Sequence, residues 1–349
     1  MPVIIMESSA NTNLYRQQPR QAGPKIGWKA DLAKSFTRIE DLLNDLGLPP
    51  DFSLGGEEPA RLFPFRVTAA FASRMKQGDP NDPLLRQVLP LAEEMQERAG
   101  YTDDPVGDLP SVIVPGLLHK YHGRALLIAT GICAINCRYC FRREFPYAEG
   151  QLTRSRYAEA FRHIAGDASI TEVILSGGDP LVLDDGRLAD LVEAIAAIPQ
   201  VKRLRIHTRL PIVLPSRIGL GLTQILSGTR LKCIIVIHAN HVNEIDAEVS
   251  QALLALREAG AVLLNQTVLL KGVNDTVDAL ASLSEALIEF GVAPYYLHLL
   301  DKAKGTGHFE VDETTALALH ESLRRRLPGY LVPKLVREVA SKPYKESLA

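Results

Sequence analysis

Three of the four cysteines in this chain lie within eight residues, and their spacing is the strongest chemical signal in the sequence. Cys133, Cys137 and Cys140 follow a C-x-x-x-C-x-x-C pattern. An apolar run over residues 125–130 precedes them and ends at Gly131, so we expect the cysteines on a loop that leaves a buried strand. Three thiolates can neither close a tetrahedral zinc site nor fill all four corners of a four-iron cluster. A cluster held by these residues would leave one iron open to an outside ligand.

A structural zinc knuckle is the alternative interpretation of the same cysteines, with Cys233 or a histidine as the fourth ligand. Both kinds of metal site need reduced thiols. Four cysteines, three of them clustered, indicate a metal site in a reducing cytosol rather than a disulfide framework. We therefore expect a cytoplasmic location.

The overall composition is that of an ordinary soluble globular protein. Hydrophobic residues make up 46% and charged residues 23% of the 349 residues, and the formal net charge is −2. This length allows one large domain with additions. The balanced charge argues against binding of nucleic acid or of a membrane surface. No apolar run approaches the roughly 18 residues that cross a bilayer, and the N-terminus lacks the basic flank of a signal peptide.

The N-terminal third, residues 1–110, is predicted to be a polar arm of about two dozen residues followed by a helical cap. Apolar residues recur every three or four positions over residues 32–46, before Gly47, which predicts one amphipathic helix. Further helices are predicted over 68–76 and 84–99. No strand pattern is convincing in this region.

Residues 111–326 alternate between strand and helix patterns, which indicates an α/β fold. Amphipathic helices separate six apolar, β-branched runs: 125–130, 172–176, 203–207, 232–238, 262–270 and 293–300. This alternation predicts a parallel sheet with right-handed crossovers, and six units are too few for a full eightfold barrel. Residues 327–349 remain as a short C-terminal tail.

Loops at the carboxyl ends of parallel strands carry the active site in such folds. The second strand is followed by Gly177, Gly178 and Asp179, where paired glycines allow close backbone approach to a ligand and the acid could hold a cation. His207 ends the third strand and His238 the fourth. A tight turn and ordinary strand-end histidines also fit these residues, so residue types alone leave both interpretations open.

The cysteine spacing resembles that of the radical S-adenosylmethionine (SAM) enzymes. In that family three cysteines hold a [4Fe-4S] cluster, SAM chelates the open iron, and an electron delivered by a flavodoxin- or ferredoxin-type donor cleaves SAM to a 5′-deoxyadenosyl radical. The resemblance implies a partial (βα)6 barrel, open at one side, in agreement with the six predicted units. It also implies that Gly177, Gly178 and Asp179 bind SAM and that His207 and His238 face its nucleoside.

Further motifs are similar to those of the lysine 2,3-aminomutases, radical SAM enzymes that also use pyridoxal 5′-phosphate (PLP). The similarity extends from about residue 60 to the end of the chain. The motifs, in fixed order, are Tyr121–Arg124, Cys140–Arg143, Asn265–Leu270, Pro294–Tyr296, and Asp301 with Gly305–Phe309. This resemblance implies conversion of (S)-α-lysine to (R)-β-lysine, in which the radical removes a hydrogen from the β-carbon and the amino group migrates on PLP.

Shorter features resemble one bacterial branch of that family, which supplies β-lysine for a ligase that modifies translation elongation factor P. These features are Val114–His122, Phe145–Tyr147 and Leu331–Leu335. The same chemistry in lysine catabolism or osmolyte synthesis is the first alternative. A non-enzymatic iron–sulfur or zinc protein is the alternative from a different class.

The resemblance assigns the PLP Schiff base to Lys345, with Lys342 and Lys334 as rivals in the same tail. A Schiff-base lysine must reach the cofactor and lose its proton. Arg124 and Gln266 match residues that lie beside PLP.

The resemblance also assigns residues to the substrate. Arg142 matches the arginine that pairs with the lysine α-carboxylate, where a planar guanidinium forms two hydrogen bonds. Asp301 matches a carboxylate that binds the ε-ammonium. Glu338, seven residues before Lys345, stands where clostridial enzymes have a second such carboxylate, an aspartate.

Overall fold

The computed structural model describes residues 27–53, 55–150 and 154–349, so the predicted N-terminal arm lies outside the described residues. Their α-helices are α1 Trp28–Ala33, α2 Ile39–Asp45, α3 Glu57–Leu62, α4 Ala69–Ala72, α5 Pro83–Arg86, α6 Tyr147–Gly150, α7 Arg154–Gly166, α8 Asp185–Ala196, α9 Leu210–Val213, α10 Leu220–Gly228, α11 Ala247–Glu258, α12 Val277–Glu289 and α13 Glu313–Arg326. Their strands are β1 Val112–Val114, β2 Leu117–Tyr121, β3 Arg124–Thr130, β4 Glu172–Gly177, β5 Arg203–Thr208, β6 Lys232–Ile237, β7 Val262–Val268, β8 Val292–His298, β9 Lys334–Arg337 and β10 Glu346–Ser347.

These ten strands form one sheet, in which spatial neighbours are also neighbours along the chain. Each strand from β3 to β8 pairs in parallel with the next, and helices connect them. These are the six predicted strands, so the expected α/β fold with six βα units is confirmed. The tail adds a further parallel strand, β9, and β1, β2 and β10 add antiparallel pairs at the two edges.

Side chains from alternate strand positions face a common cavity, which shows that the sheet is curved. Arg124 and Leu126 of β3 line this cavity, and so do Tyr296 and His298 of β8, five strands away. Successive side chains of a strand point to opposite faces, so a flat sheet would not arrange these residues around one space. The described strands do not pair first to last. The architecture is therefore a partial barrel with an open side.

The connecting helices pack their apolar faces against the outside of this barrel. In α8, Leu188, Leu191, Val192 and Ile195 recur at helical spacing and are all buried. Burying one such side chain contributes about 1.5–3 kcal/mol. These residues belong to the largest core cluster, which includes residues of β3 to β8, and this core fixes the positions of the strand ends. No helix within the described ranges is long and apolar enough to cross a membrane.

The N-terminal region is helical, but the single helix predicted over residues 32–46 is wrong. The structure has two helices there, α1 and α2. Between them Phe36 leaves the helical path and exchanges two backbone hydrogen bonds with Val67, of 2.7 and 2.9 Å. A tertiary contact thus overrides the local periodicity.

The other two N-terminal helices are shorter than predicted. In the range 84–99 the structure contains α5 and a separate 3-10 turn, Ala92–Met95. Pro90 lies between them and lacks the N–H that a helix interior requires. In the range 68–76 only the four residues of α4 are α-helical.

The antiparallel strands at both edges are absent from the sequence-based prediction. The turn between β1 and β2 contains Gly116, whose φ of 89° lies in the left-handed region that favours glycine. At the other edge Leu335 and Val336 of β9 are buried, and the Leu348 N–H donates to the Leu335 carbonyl at 2.9 Å. The C-terminal segment is therefore tied into the sheet, and this hairpin determines where Lys345 lies.

Candidate active site

A cavity of about 370 Å³ lies within the curved sheet, and its lining includes Gly177 and Thr208, the last residues of β4 and β5. It is lined by every residue that the sequence analysis assigned to a site: Cys133, Cys137, Cys140, Arg124, Arg142, Gly177, Gly178, Asp179, His207, His238, Gln266, Asp301, Glu338 and Lys345. The structure thus brings these side chains together, and their individual roles stay predictions.

The three clustered cysteines occupy the loop after β3, half-buried and free of disulfides. Burial raises the pKa of Cys133 well above its usual value and that of Cys140 to about 11. Without metal the thiols of Cys133 and Cys140 keep their protons, and metal binding must displace these protons. The guanidinium of Arg209 donates to the sulfur of Cys137 at 2.6 Å.

The zinc-knuckle alternative requires Cys233 or a histidine as a fourth ligand beside the three thiols. Among the described residues, no three His, Cys, Asp or Glu side chains converge on a point that would hold one metal ion. A four-iron cluster is ligated at separate irons, so its thiolates need not converge in that way. Cys233 is buried at the start of β6, within reach of the Leu226 and Leu231 carbonyls, and does not line the cavity.

The two glycines after β4 allow a close backbone approach, but the nearest atoms belong to the segment ahead of the cysteines. A Cβ on Gly177 would lie 2.3 Å from the Thr130 carbonyl oxygen, and one on Gly178 would lie 2.4 Å from that of Ile132. The φ of Gly177 is 122°, which also favours glycine. These glycines therefore allow the turn after β4 to pack against residues 130–132, where the cysteine loop begins.

The carboxylate of Asp179 is buried and satisfied by donors of the protein. It accepts from the Thr208 hydroxyl at 2.7 and 2.9 Å, from the Arg209 N–H at 2.7 Å and from the Leu181 N–H at 3.0 Å. Burial raises the pKa of Asp179 to about 6 in spite of these donors. The aspartate thereby joins the ends of β4 and β5 at the edge of the cavity.

Three histidines face the cavity, from β5, from the residue after β6 and from β8. The rings of His207 and His238 meet edge to face, with centroids 5.7 Å apart. Burial lowers the pKa of His238 to about 4 and that of His207 well below its usual value. The third, His298 of β8, is also buried with a lowered pKa. These lowered pKa values favour the neutral imidazole in all three. Among the described residues, no hydrogen-bond partner faces the Nε2 atoms of His238 and His298.

Arg142 points into the cavity and is held by two side chains. Its Nε donates to the Asp108 carboxylate at 2.7 Å, and its Nη1 donates to the Ser176 hydroxyl at 2.9 Å. Both partners of this ion pair are buried. A guanidinium has five donors, so Asp108 and Ser176 fix its orientation and leave donors for a carboxylate ligand.

Lys345 lies beside Glu338 in the turn between β9 and β10, and the two form an ion pair. Glu338 also binds Lys120, at 2.7 Å, and accepts from the Tyr121 hydroxyl. Burial opposes ionisation of Glu338, but Lys345 and the other donors lower its pKa to about 2.

The rival lysines lie elsewhere. Lys334 and Lys342 are exposed, and neither lines the cavity. Lys345 is half-buried and does line it. Among these three tail lysines, the geometry therefore favours Lys345 as the amine that reaches the cavity.

Asp301 is placed at the end of β8 and carries an unusual carboxyl group. Burial raises the pKa of Asp301 to about 7, and the nearby charge of Lys345 only partly opposes this shift. An ammonium ion from a ligand would stabilise the ionised form. The ring centroids of Tyr295 and Tyr296, both on β8, lie 3.7 Å apart, and Gln266 of the adjacent strand β7 is paired in register with Tyr296. Arg124 of β3 lies over the ring of Tyr121, at 4.6 Å from its centroid.

Sequence reasoning missed several residues that shape this site. Asp108 lies 34 residues before Arg142, and Lys120 and Tyr121 lie more than 200 residues before their partner Glu338. No short motif connects such pairs. His298 could have been noticed, because it lies two residues before the end of the predicted strand 293–300, much as His207 and His238 end theirs.

The chain is similar to proteins of known family over most of its length. Residues 127–220 match the family model described as the Radical SAM superfamily. The chain is 47% identical over 322 residues to "L-lysine 2,3-aminomutase" of Escherichia coli (strain K12), covering 92% of this chain and 94% of that protein. It is 43% identical to the protein of the same name from Haemophilus influenzae, covering 91% and 94%, and 33% identical to that from Clostridium subterminale, covering 88% and 74%. By this similarity, the chain belongs to the L-lysine 2,3-aminomutase family of radical SAM isomerases.

Proposed function

We propose that this protein is an L-lysine 2,3-aminomutase that converts (S)-α-lysine to (R)-β-lysine. The observation that carries the proposal is the set of groups in one cavity: three thiols on a loop, the amine of Lys345, the guanidinium of Arg142 and the carboxylates of Asp301 and Glu338. Lysine offers the complementary groups. Its carboxylate suits the guanidinium, and its ε-ammonium suits a carboxylate.

Membership of the family implies a [4Fe-4S] cluster, SAM and PLP. The residues present fit these groups, because the free thiols share one loop and Lys345 faces the same cavity. Cys133, Cys137 and Cys140 would hold the cluster, and Lys345 would hold PLP. When bound, the cluster and SAM supply a radical that removes a substrate hydrogen, and PLP carries the nitrogen that migrates.

The protein's own contribution is to orient the substrate and to keep out water. Arg142, held by Asp108 and Ser176, would bind the α-carboxylate in a fixed direction. Asp301 would bind the ε-ammonium and become fully ionised in doing so. With both ends of lysine held, the β-carbon is fixed between them, which is how positioning lowers a barrier.

During the reaction, Glu338 would exchange the ammonium of Lys345 for the ammonium of the substrate. In the ligand-free protein it neutralises the Lys345 ammonium. Lys345 must leave it and lose a proton to act as a nucleophile. Lys120 stays within 2.7 Å, so the carboxylate keeps a partner until a substrate ammonium arrives. This exchange gives Glu338 a place in the site although clostridial relatives have an aspartate there.

We place the product in the modification of elongation factor P by a lysyl ligase. The support is the resemblance of Val114–His122, Phe145–Tyr147 and Leu331–Leu335 to the branch with that role. A strain that lacks this gene should contain elongation factor P without the β-lysyl group, as measured by intact mass. Normal modification in that strain would move the protein to lysine catabolism or osmolyte synthesis.

The decisive experiment is anaerobic reconstitution with iron, sulfide, SAM, PLP and a reductant, followed by chiral analysis of the product formed from L-lysine. We expect (R)-β-lysine. Lys345→Ala should abolish it, and the matched tail variant Lys342→Ala should not. Borohydride treatment should attach PLP to a peptide that contains Lys345. A cofactor found on Lys334 or Lys342 would refute the assignment of the lysine.

The same preparation separates an enzyme from a metal-binding protein. Iron with labile sulfide, together with SAM cleavage, supports the enzyme. Bound zinc without labile sulfide would instead support the non-enzymatic alternative.

A further inference from the structure

A buried cluster of three charged residues joins the cysteine loop to the N-terminal region and does not line the cavity. Arg138 lies between Cys137 and Cys140, and its side chain is 0% exposed. It forms two bonds with the carboxylate of Glu94, at 2.8 and 2.6 Å. Arg143, three residues after Cys140, donates to the same carboxylate at 2.9 Å. One acidic side chain from the N-terminal region thus binds Arg138, before Cys140, and Arg143, after it.

The N-terminal region supplies every further partner of the Arg138 guanidinium that the structure records. Nη1 donates to the Phe63 carbonyl at 2.7 Å, and Nη2 donates to the Pro59 carbonyl at 3.1 Å. The ring of Phe63 also lies 5.0 Å from the guanidinium of Arg138 and 4.9 Å from that of Arg143. This arrangement fixes the plane of the guanidinium as well as its position.

Backbone hydrogen bonds join the same two segments. The Asn136 N–H donates to the Arg66 carbonyl at 3.0 Å, and the Arg138 N–H donates to the Gln87 carbonyl at 2.8 Å. The Asn136 amide also donates to the Pro64 carbonyl at 2.7 Å. The backbone of the cysteine loop is therefore hydrogen-bonded to the N-terminal region at Asn136 and at Arg138.

We propose that Glu94 is a positioning residue for the cluster loop and that the N-terminal helical region is the scaffold that sets the spacing of the cluster ligands. A buried ion pair has a high desolvation cost and adds little stability over an apolar pair. Its bidentate geometry, however, restricts the loop to one arrangement. Removing Glu94 frees the residues on both sides of Cys140, so the three thiolates are no longer held at the separations that the cluster needs.

The test compares Glu94→Gln with Glu93→Gln in the reconstituted protein. Glu93 is exposed in the same 3-10 turn, so its substitution removes the same charge without contact with the loop. We expect Glu94→Gln to lose iron to a chelator about tenfold faster than the parent, the lower end of the range for residues that support metal ligands. We also expect an altered electron paramagnetic resonance spectrum and midpoint potential of the reduced cluster. Glu93→Gln should match the parent in all three measurements.

Glu94→Gln could also release iron because the protein unfolds. Two further variants distinguish unfolding from a loss of loop positioning. Glu94→Asp keeps the charge and should restore the spectrum at least in part. The double variant Glu94→Leu with Arg138→Met replaces the buried Glu94–Arg138 pair by apolar side chains, which usually preserves the fold, and leaves Arg143 with its second partner Glu144, 3.7 Å away. This variant should still release iron quickly. If the folded Glu94→Gln and double variants keep the iron-release rate and spectrum of the parent, the proposal is overturned. It is also overturned if the double variant restores both properties, because Glu94 would then serve only to neutralise Arg138.

Discussion

Replacing Asp301 by asparagine should stabilise the ligand-free protein while it impairs the reaction. In the folded chain the pKa of Asp301 rises from 3.8 to about 7, because burial disfavours the charged carboxylate. A carboxyl group with a raised pKa lowers stability as pH increases, since the unfolded chain ionises more easily than the folded one. The asparagine side chain cannot ionise, so the variant escapes this loss.

The size of this stability difference follows from the shift in the pKa of Asp301. Below about pH 4 both states are protonated and the substitution has no ionisation effect. Between pH 5 and pH 7 only the unfolded state is ionised, and each pH unit costs the parent protein about 1.36 kcal/mol. The advantage of the variant should therefore grow by about 2–3 kcal/mol between pH 5 and pH 8. Comparing two pH values cancels the constant cost of burying the asparagine amide.

The assay is denaturant unfolding of the metal-free and PLP-free protein at both pH values. Asp51→Asn, an exposed position in the N-terminal region, is the control for removing one carboxylate. In the reconstituted enzyme, Asp301→Asn should lower kcat/KM for lysine by about ten- to a hundredfold, the effect of losing a hydrogen bond to a charged group, with an unchanged iron and sulfide content. A stability difference that does not vary with pH would refute the burial argument. Unaltered lysine kinetics would remove Asp301 from the substrate site.

Three substitutions and one truncation test separate parts of the site and of the C-terminal hairpin. Cys137→Ala should lose labile sulfide and SAM cleavage together, whereas Cys233→Ser should keep labile sulfide near the parent level; loss of sulfide in the second variant would mean that the ligand set is wrong. Asp108→Asn should raise the KM for lysine by about tenfold with a smaller change in kcat, because Arg142 loses the charged partner that orients it; an unchanged KM would show that Arg142 needs no such support. Truncation after Lys342 removes the β9–β10 pairing and should lower the melting temperature of the metal-free protein; an unchanged melting temperature would show that the hairpin adds nothing to the fold.

Features that depend on residues close together in the sequence could be predicted without a structure. Cysteine spacing depends on one loop, and the alternation of strands and helices follows from periodicities of two and 3.6 residues. The six parallel strands and the position of the cysteines after the first of them therefore follow from the sequence. The motifs around Lys345 and Asp301 were readable through the same kind of local resemblance.

Ion-pair partners and broken helices were decided only by the tertiary structure. Glu94 lies 44 residues from Arg138, and Asp108 lies 34 residues from Arg142. Such pairs form where the folded chain brings opposite charges together in a buried place. Many other carboxylates lie at a similar sequence separation from each arginine, so the sequence does not identify the partner. The backbone hydrogen bonds between Phe36 and Val67 likewise join residues that are distant in sequence, and only the folded chain brings them together. Local periodicity determines which elements form, but only packing determines which side chains meet.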